Sequence, residues 1–468
     1  TSTDPVHFAA KACRQRGRII LVGTTGLNIS RDLFYKKELS FQVSCSYGPG
    51  RHDSLYEQKG IDYPIGFVRW TEQRNFQAVI SCLGSGVIKT DTLISHRFTI
   101  DDASNAYELL TSKSSLGILI EYPNTSNSQE QTIEIKKADL RKEPLNPLMP
   151  KINIIGSGNY ASRFLIPSFV RSGAKLGIIA AQNGLKPMQI GKKYKFEKAS
   201  TNINEVMSCD SSNAIVIATR HDSHCSLIQK ALLAGKHVFV EKPLCLTVTE
   251  LRSIRSTYSE IYTQKNKPTK DLPILMVGFN RRFAPLLIEL YNQLLLIEGP
   301  KAFIYTCNAG YIPPDHWIHD SSTGGGRLIG EACHFVDILR HLAGSKIEDL
   351  HIMSCKDNKV SPDTFTLQLR FANGSIGSIN YFSCGNKGYK KERLEVFTTG
   401  RIMRLDNFRE LSAWGIPNFR NRKTWKQDKG HDACCQAFIN AIKNRTESPI
   451  PIKEIFEVQD WLLTQGKS

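Results

Sequence analysis

From residue 151 onward the chain alternates short, almost wholly apolar runs with longer amphipathic stretches. Residues 152–155 form one such run, 176–180 a second and 214–219 a third, and helical stretches separate them. A helical stretch through 227–233 then leads to the run 237–240. Continuous apolar runs of this length read as strands buried on both faces. Their alternation with helices predicts an α/β domain with a doubly wound parallel sheet, which binds ligands at the carboxyl ends of its strands. Residues 274–278 read as the last strand of this set. The rhythm then changes. Extended stretches at 301–308, 351–354, 364–371, 375–382 and 392–398, with one helix at 330–342 among them, predict an α+β domain with a mostly antiparallel sheet and helices on one face. Residues 431–443 and 454–463 read as closing helices.

Upstream, residues 1–122 form a separate and partial Rossmann-like α/β segment. Helical patterns at 7–15, 73–84 and 103–110 alternate with extended ones at 18–22, 39–44, 92–98 and 117–121. From 123 to 150 the composition turns to Asn, Ser, Thr, Gln, Glu, Lys and Pro, as in a linker. Within it, 131–135 reads as a short extended piece that pairs with a sheet edge.

Composition narrows the class. A chain of 468 residues with 41% apolar content is large enough for two or three cores. No run of about 18 apolar residues predicts a membrane span, and the start lacks the basic and apolar segments of a secretory signal. The net charge of +17 is spread over all regions rather than gathered on one helix, which argues against nucleic acid and leaves a surface suited to anionic nucleotides or nucleotide sugars. Twelve cysteines without a Cys-x-x-Cys pair fit a reducing compartment, the cytoplasm. Cys45, His52 and Asp53, and His221, Asp222, His224 and Cys225, lack a recognised ligand spacing, so no metal is predicted.

The chemistry concentrates in three places. The apolar run at 152–155 is followed at once by Gly156, Ser157, Gly158, Asn159, Tyr160 and Ala161, a Gly-x-Gly-x-x-Ala spacing. At this spacing a strand turns tightly into a helix whose amide groups face a pyrophosphate: Gly156 permits the turn, Gly158 leaves room for phosphates and Ala161 allows close packing. Glu241-Lys242-Pro243 ends a buried strand at the ligand edge of the sheet. The stretch from Gly324 to Asp337 joins a triple glycine to a helix, where the three-residue spacing places Glu331 and His334 on one face. A histidine so placed can exchange a proton near neutral pH.

These ordered motifs, together with residues 218–224, 234–244, 279–285 and 310–317, resemble the glucose-fructose oxidoreductase / inositol dehydrogenase (Gfo/Idh/MocA) family over residues 151–468. Residues 17–23, 93–98 and 106–110 resemble the C-terminal part of a medium-chain zinc-type alcohol dehydrogenase. The fusion is similar to bi-domain oxidoreductases of bacterial surface-polysaccharide gene clusters. The resemblance implies an NAD(P)-binding Rossmann domain at 151–275 and a domain for substrate binding and oligomerisation at 276–468. NAD or NADP would lie across Gly156 to Ala161, with Gln182, Thr219, Arg220, His224, Glu241 and Lys242 also contacting it. Lys242 would hydrogen-bond a reacting hydroxyl, His334 would take its proton with Glu331 orienting it, and Arg281, Trp317 and Asp337 would bind substrate.

Two positions depart from the family pattern. Gly330 stands where many members carry an Asp, and no acid follows the strand 176–180 to hold a ribose 2′-hydroxyl, so the choice between NAD and NADP leans only slightly to NAD. The implied function is an NAD(P)-dependent dehydrogenase acting on a sugar or nucleotide sugar, as a homo-oligomer. The alternatives are an NAD-dependent glycoside hydrolase and a non-catalytic nucleotide-binding scaffold.

Overall fold

The computed structural model describes residues 2–45, 47–111, 115–122, 131–135, 150–263, 272–355 and 363–465. The chain divides into two units, Thr1–Asn127 and Ser128–Ser468. In the first, β1 (Arg18–Leu21) pairs in parallel with β2 (Ser40–Val43), and β3 (His96–Thr99) in parallel with β4 (Ile118–Glu121). These are two separate two-stranded sheets rather than one partial Rossmann sheet. Each strand has four residues, and Ile20, Val22, Val43 and Leu119 remain exposed. Asp53, considered above as a metal ligand, instead accepts from the Leu55 amide at the start of a short helix and from the Tyr63 hydroxyl.

The second unit holds a seven-stranded and an eight-stranded sheet. Seven strands, β5 (Thr132–Glu134), β6 (Lys151–Ile155), β7 (Lys175–Ala180), β8 (Lys198–Ser200), β9 (Ala214–Ile217), β10 (His237–Val240) and β11 (Leu275–Val277), lie in the order β11-β10-β9-β6-β7-β8-β5. All pairs are parallel except β5 with β8, so the extended piece at 131–135 closes a sheet edge. The rest of the expected linker, 123–130 and 136–149, falls outside the described residues. Ile152, Ile154, Ile215 and Val216 are fully buried, which is why these strands read as unbroken apolar runs. The strand order reverses between β6 and β9, the switch point at which such a sheet opens a ligand crevice.

The second sheet comprises β12 (Ala302–Asn308), β13 (Ile347–Ser354), β14 (Phe365–Phe371), β15 (Ile376–Phe382), β16 (Glu392–Thr398), β17 (Arg401–Asp406), β18 (Glu410–Trp414) and β19 (Arg422–Lys423). Only β12 with β15 is parallel; the other pairs are antiparallel. Its strands alternate buried and open positions, as in β14, because one face carries the core and the other does not. The helix Cys333–Ala343 packs on the buried face. Gly377 of β15 makes room for it, since a Cβ there would lie 2.8 Å from the Leu339 side chain.

Candidate active site

The glycine loop crosses the end of β9 at contact distance. A Cβ on Gly156 would lie 2.3 Å from the Ala218 carbonyl oxygen, and its φ of +112° also favours glycine. At Gly158 a Cβ would meet nothing within 4 Å, so the backbone borders open space. Ser157 and Ala161 are buried, while Asn159 and Tyr160 are exposed. The following helix opens with a wide turn, Ala161–Leu165, before Ile166–Arg171. A tight turn and an open backbone at a helix start without a side-chain cap fit a dinucleotide's pyrophosphate. Beyond β7, Gln182 and Lys186 are both exposed.

Two neighbouring strand ends supply the polar groups. After β9, Thr219 shares a hydrogen bond with Ser223 at 2.6 Å, and the Arg220 guanidinium lies 5.7 Å from the Trp317 ring centre. His224 is fully buried; its Nδ1 bonds the Pro243 carbonyl at 2.7 Å and its Nε2 lies 3.4 Å from the Thr219 carbonyl. It braces the two strand ends from below. After β10, Glu241 is buried beside Gly278, where a Cβ would lie 2.9 Å from its Oε1. Burial pushes the Glu241 carboxyl up to about 7, against the pull of Lys242 and the Tyr160 hydroxyl. Lys242 donates to the Gly330 carbonyl at 2.7 Å, and so ties the parallel sheet to the glycine-rich segment of the second domain.

That segment departs from the expected geometry at one turn. Leu328–Ala332 is a wide π-turn feeding the helix Cys333–Ala343, so a three-residue spacing no longer stacks side chains. Glu331 does not orient His334. It accepts from the Tyr381 hydroxyl and lies 3.7 Å from the Arg327 guanidinium. Burial would raise its carboxyl, but Lys242, Arg327 and Tyr381 outweigh that and hold it below the usual range. His334 is buried, its ring meets the Phe279 edge at 6.0 Å, and its Nδ1 has no hydrogen-bond partner among the described residues. Burial, with the charges of Arg281 and Lys242, holds His334 well below the ordinary imidazole range, so it is uncharged at neutral pH.

Asp337 stands apart from this group. It is fully buried, and its two oxygens accept from Arg282 Nε at 2.7 Å and Nη2 at 2.6 Å, while Arg282 Nη1 donates to Glu454 at 2.6 Å. The carboxylate expected to bind substrate therefore anchors the helix to the core. Burial pushes Asp337 up to about 6 against the pull of Arg282, which leaves it ionised at neutral pH. Removing one partner of such a pair leaves a buried charge, so Asp337→Ala should cost about 3–5 kcal/mol in urea unfolding, with the double variant Asp337→Leu/Arg282→Met recovering much of it. A stable Asp337→Ala protein with a raised KM would return the residue to the substrate.

Sequence reading missed several groups here. His221, set aside above as a metal ligand, is buried and bonds the Gly324 carbonyl at 2.8 Å, and it packs edge-on against Trp317 at 5.0 Å. Arg327 is buried, donates to the Gly310 carbonyl at 2.7 Å and stacks over Tyr381. Glu392 and Lys429 join the expected Arg281: Glu392 accepts from Arg281 Nε at 2.8 Å and from Lys429 Nζ at 2.6 Å. Motif spacing could not reveal partners so distant in sequence.

Residues 151–260 match an oxidoreductase family with an NAD-binding Rossmann fold, GFO_IDH_MocA, and residues 302–403 match the GFO/IDH/MocA C-terminal domain. A putative oxidoreductase, YceM of Salmonella typhimurium, is 30% identical over 307 residues, which span 63% of this chain and 90% of that one. The chain belongs to the GFO/IDH/MocA family. Among other relatives, scyllo-inositol 2-dehydrogenase (NAD(+)) of Bacillus subtilis is 28% identical over 61% of this chain and 83% of its own. Oxidoreductase cns1 of Cordyceps militaris is 24% identical, and the chain spans only 38% of its length. A solved levoglucosan dehydrogenase bound to NADH and levoglucosan superposes with a TM-score of 0.57 at 18% identity, covering 68% of this chain and 97% of that one. GFO/IDH/MocA membership brings the NAD-binding Rossmann domain and the antiparallel partner domain into one fold. Unit Thr1–Asn127 lies outside both matched ranges.

Proposed function

We propose that this chain is an NAD-dependent dehydrogenase that oxidises a secondary hydroxyl of a sugar or nucleotide sugar. The observation that carries the reading is the meeting of Lys242, from the nucleotide-binding sheet, with the segment that bears His334: the Lys242 ammonium sits 2.7 Å from the Gly330 carbonyl. A sugar hydroxyl is a weak acid, so its oxidation needs a base and a nearby positive charge to steady the developing alkoxide. His334, uncharged at neutral pH, takes the proton, and Lys242 supplies the charge. NAD, when bound, would supply the hydride acceptor. Gly156 to Ala161 would hold its phosphates, and Gln182, Thr219, Arg220, Glu241 and Lys242 would line the remainder, with His224 bracing the wall. Trp317, packed on His221 and beneath Arg220, closes the substrate side. The names of the relatives, an inositol dehydrogenase and a levoglucosan dehydrogenase among them, support a polyol or sugar substrate.

A role in bacterial surface-polysaccharide precursor synthesis rests on the tandem of an alcohol-dehydrogenase-like unit with this oxidoreductase. The parallel strand pairs and helices of Thr1–Asn127 support that unit's α/β character. All twelve cysteines are free, which supports a cytoplasmic setting. No described helix is long and apolar enough to cross a membrane. Ile304, Ile376, Phe397 and Trp414, exposed on one sheet, support a homo-oligomer joined through that surface.

The test is absorbance at the reduced-nicotinamide band while NAD-loaded protein meets a panel of polyols, sugars and nucleotide sugars. At least one should reduce the cofactor. Bound NAD that none of them reduces would overturn the dehydrogenase reading.

A further inference from the structure

Glu392 is 1% exposed and carries more positive partners than one carboxylate can neutralise. It accepts from Arg281 Nε at 2.8 Å, Arg281 Nη2 at 3.1 Å, Lys429 Nζ at 2.6 Å and the Tyr305 hydroxyl at 2.6 Å. Two cations share one anion, which leaves about one positive charge in a half-enclosed place. The side chains of Arg281 and Lys429 are only 12% and 16% exposed. Uncompensated charge so poorly hydrated is costly, and such an arrangement persists where a partner arrives to neutralise it. Donors are left over for that partner. Arg281 uses Nε and Nη2 on Glu392 but not Nη1, and an ammonium has three N–H groups.

The surplus lies close to His334. The Arg281 guanidinium lies 5.4 Å from the ring centre of Phe335, the residue that follows His334. The charges felt most strongly by His334 are those of Arg281, Lys242, His431 and Lys429, with no acid among them. Of these, His431 is itself held below the ordinary imidazole range by burial, so the standing charges are Arg281, Lys242 and Lys429. Lys391, next in the chain to Glu392, adds a further exposed cation, and its carbonyl accepts from the Asn308 amide at the end of β12. The acid on the opposite wall, Glu331, is already committed to Tyr381 and Arg327.

We infer that this cleft selects an anionic sugar, whose carboxylate or phosphate is gripped by Arg281 and Lys429 while the reacting hydroxyl meets Lys242 and His334. A fork of guanidinium donors beside an ammonium matches either oxyanion, and charge complementarity of this kind sets specificity. This inference rests on the dehydrogenase reading for the location of the reacting carbon, but binding alone tests it.

The experiment is calorimetric titration of NAD-loaded protein with D-glucuronate, D-glucose 6-phosphate, UDP-glucose, UDP-glucuronate and D-glucose, for the wild type, Lys429→Met and Lys429→Arg. NAD affinity and melting temperature serve as folding controls. At least one anionic probe should bind about tenfold tighter than D-glucose, Lys429→Met should remove most of that preference, and Lys429→Arg should restore it. The probe that shows the preference distinguishes a ring carboxylate from a monophosphate or a diphosphate. No anionic probe binding better than D-glucose, or equal weakening of charged and neutral probes in Lys429→Met, overturns the inference. An anionic probe that binds through Lys429 without reducing NAD keeps the anion site and removes the dehydrogenase. Reduction of NAD by D-glucose with no preference for charge does the reverse.

Discussion

Lys242→Met should lower kcat by at least about 10²–10³-fold while NAD affinity changes little. Methionine keeps the unbranched character of lysine but removes the ammonium, and with it the charge that Lys242 brings to the Gly330 segment. The Gly330 carbonyl loses one donor, which costs about 1 kcal/mol and should leave the fold intact. The backbone at Gly156 to Ala161, rather than Lys242, would hold the phosphates, so the dissociation constant for NAD should hold when followed by quenching of tryptophan fluorescence. Single-turnover kinetics and that dissociation constant, measured side by side, separate chemistry from binding. A Lys242→Met protein with near-normal turnover would remove the lysine from the mechanism.

His334→Asn should reduce kcat/KM for oxidation by about 10²–10⁴-fold and change the pH profile. Because His334 is held well below its ordinary value, the wild type keeps its base uncharged at neutral pH and loses the part of its activity that needs this base on acidification below the usual imidazole range. That acid limb should vanish in the variant. Glu241, at about 7, contributes a separate change near neutrality that should persist. The same depression has a consequence for stability. The folded state prefers neutral His334, so its contribution is present above the unfolded value near 6.5 and is lost as pH falls toward the folded one. Retention of the acid limb in His334→Asn would assign it to another group.

The strands around the glycine loop were readable because both faces of that sheet are covered, which makes β6 and β9 unbroken apolar words in the sequence. β17 and β18 were not readable. Their Arg401-Ile-Met-Arg-Leu-Asp406 and Glu410-Leu-Ser-Ala-Trp414 mix charges with apolar residues, since one face is open and the charged side chains pair across strands, as Arg393 does with Asp406 at 2.8 Å. The candidate site divides in the same way. Lys242 and His334 announce themselves by position, one at a strand end and the other after a glycine run. Glu392 is one of two acids in its strand, and its partners lie 111 and 37 residues away, so only folding brings them together. Asp337 misled because a role carried over from a resembling motif says where a residue falls in the chain but not which face of its helix meets solvent. Glu331 misled because the wide turn before the helix breaks the very spacing on which its assignment relied.

Gly330 also constrains how this sequence can drift. A Cβ there would come within 3.2 Å of both His221 Cε1 and the Ile318 side chain, so any side chain at this position needs those two neighbours to give by a few tenths of an ångström. Positions 330, 221 and 318 are therefore sterically linked. A side chain introduced at 330 would press first on the imidazole and on the isoleucine, and its fit depends on whether those two can give way.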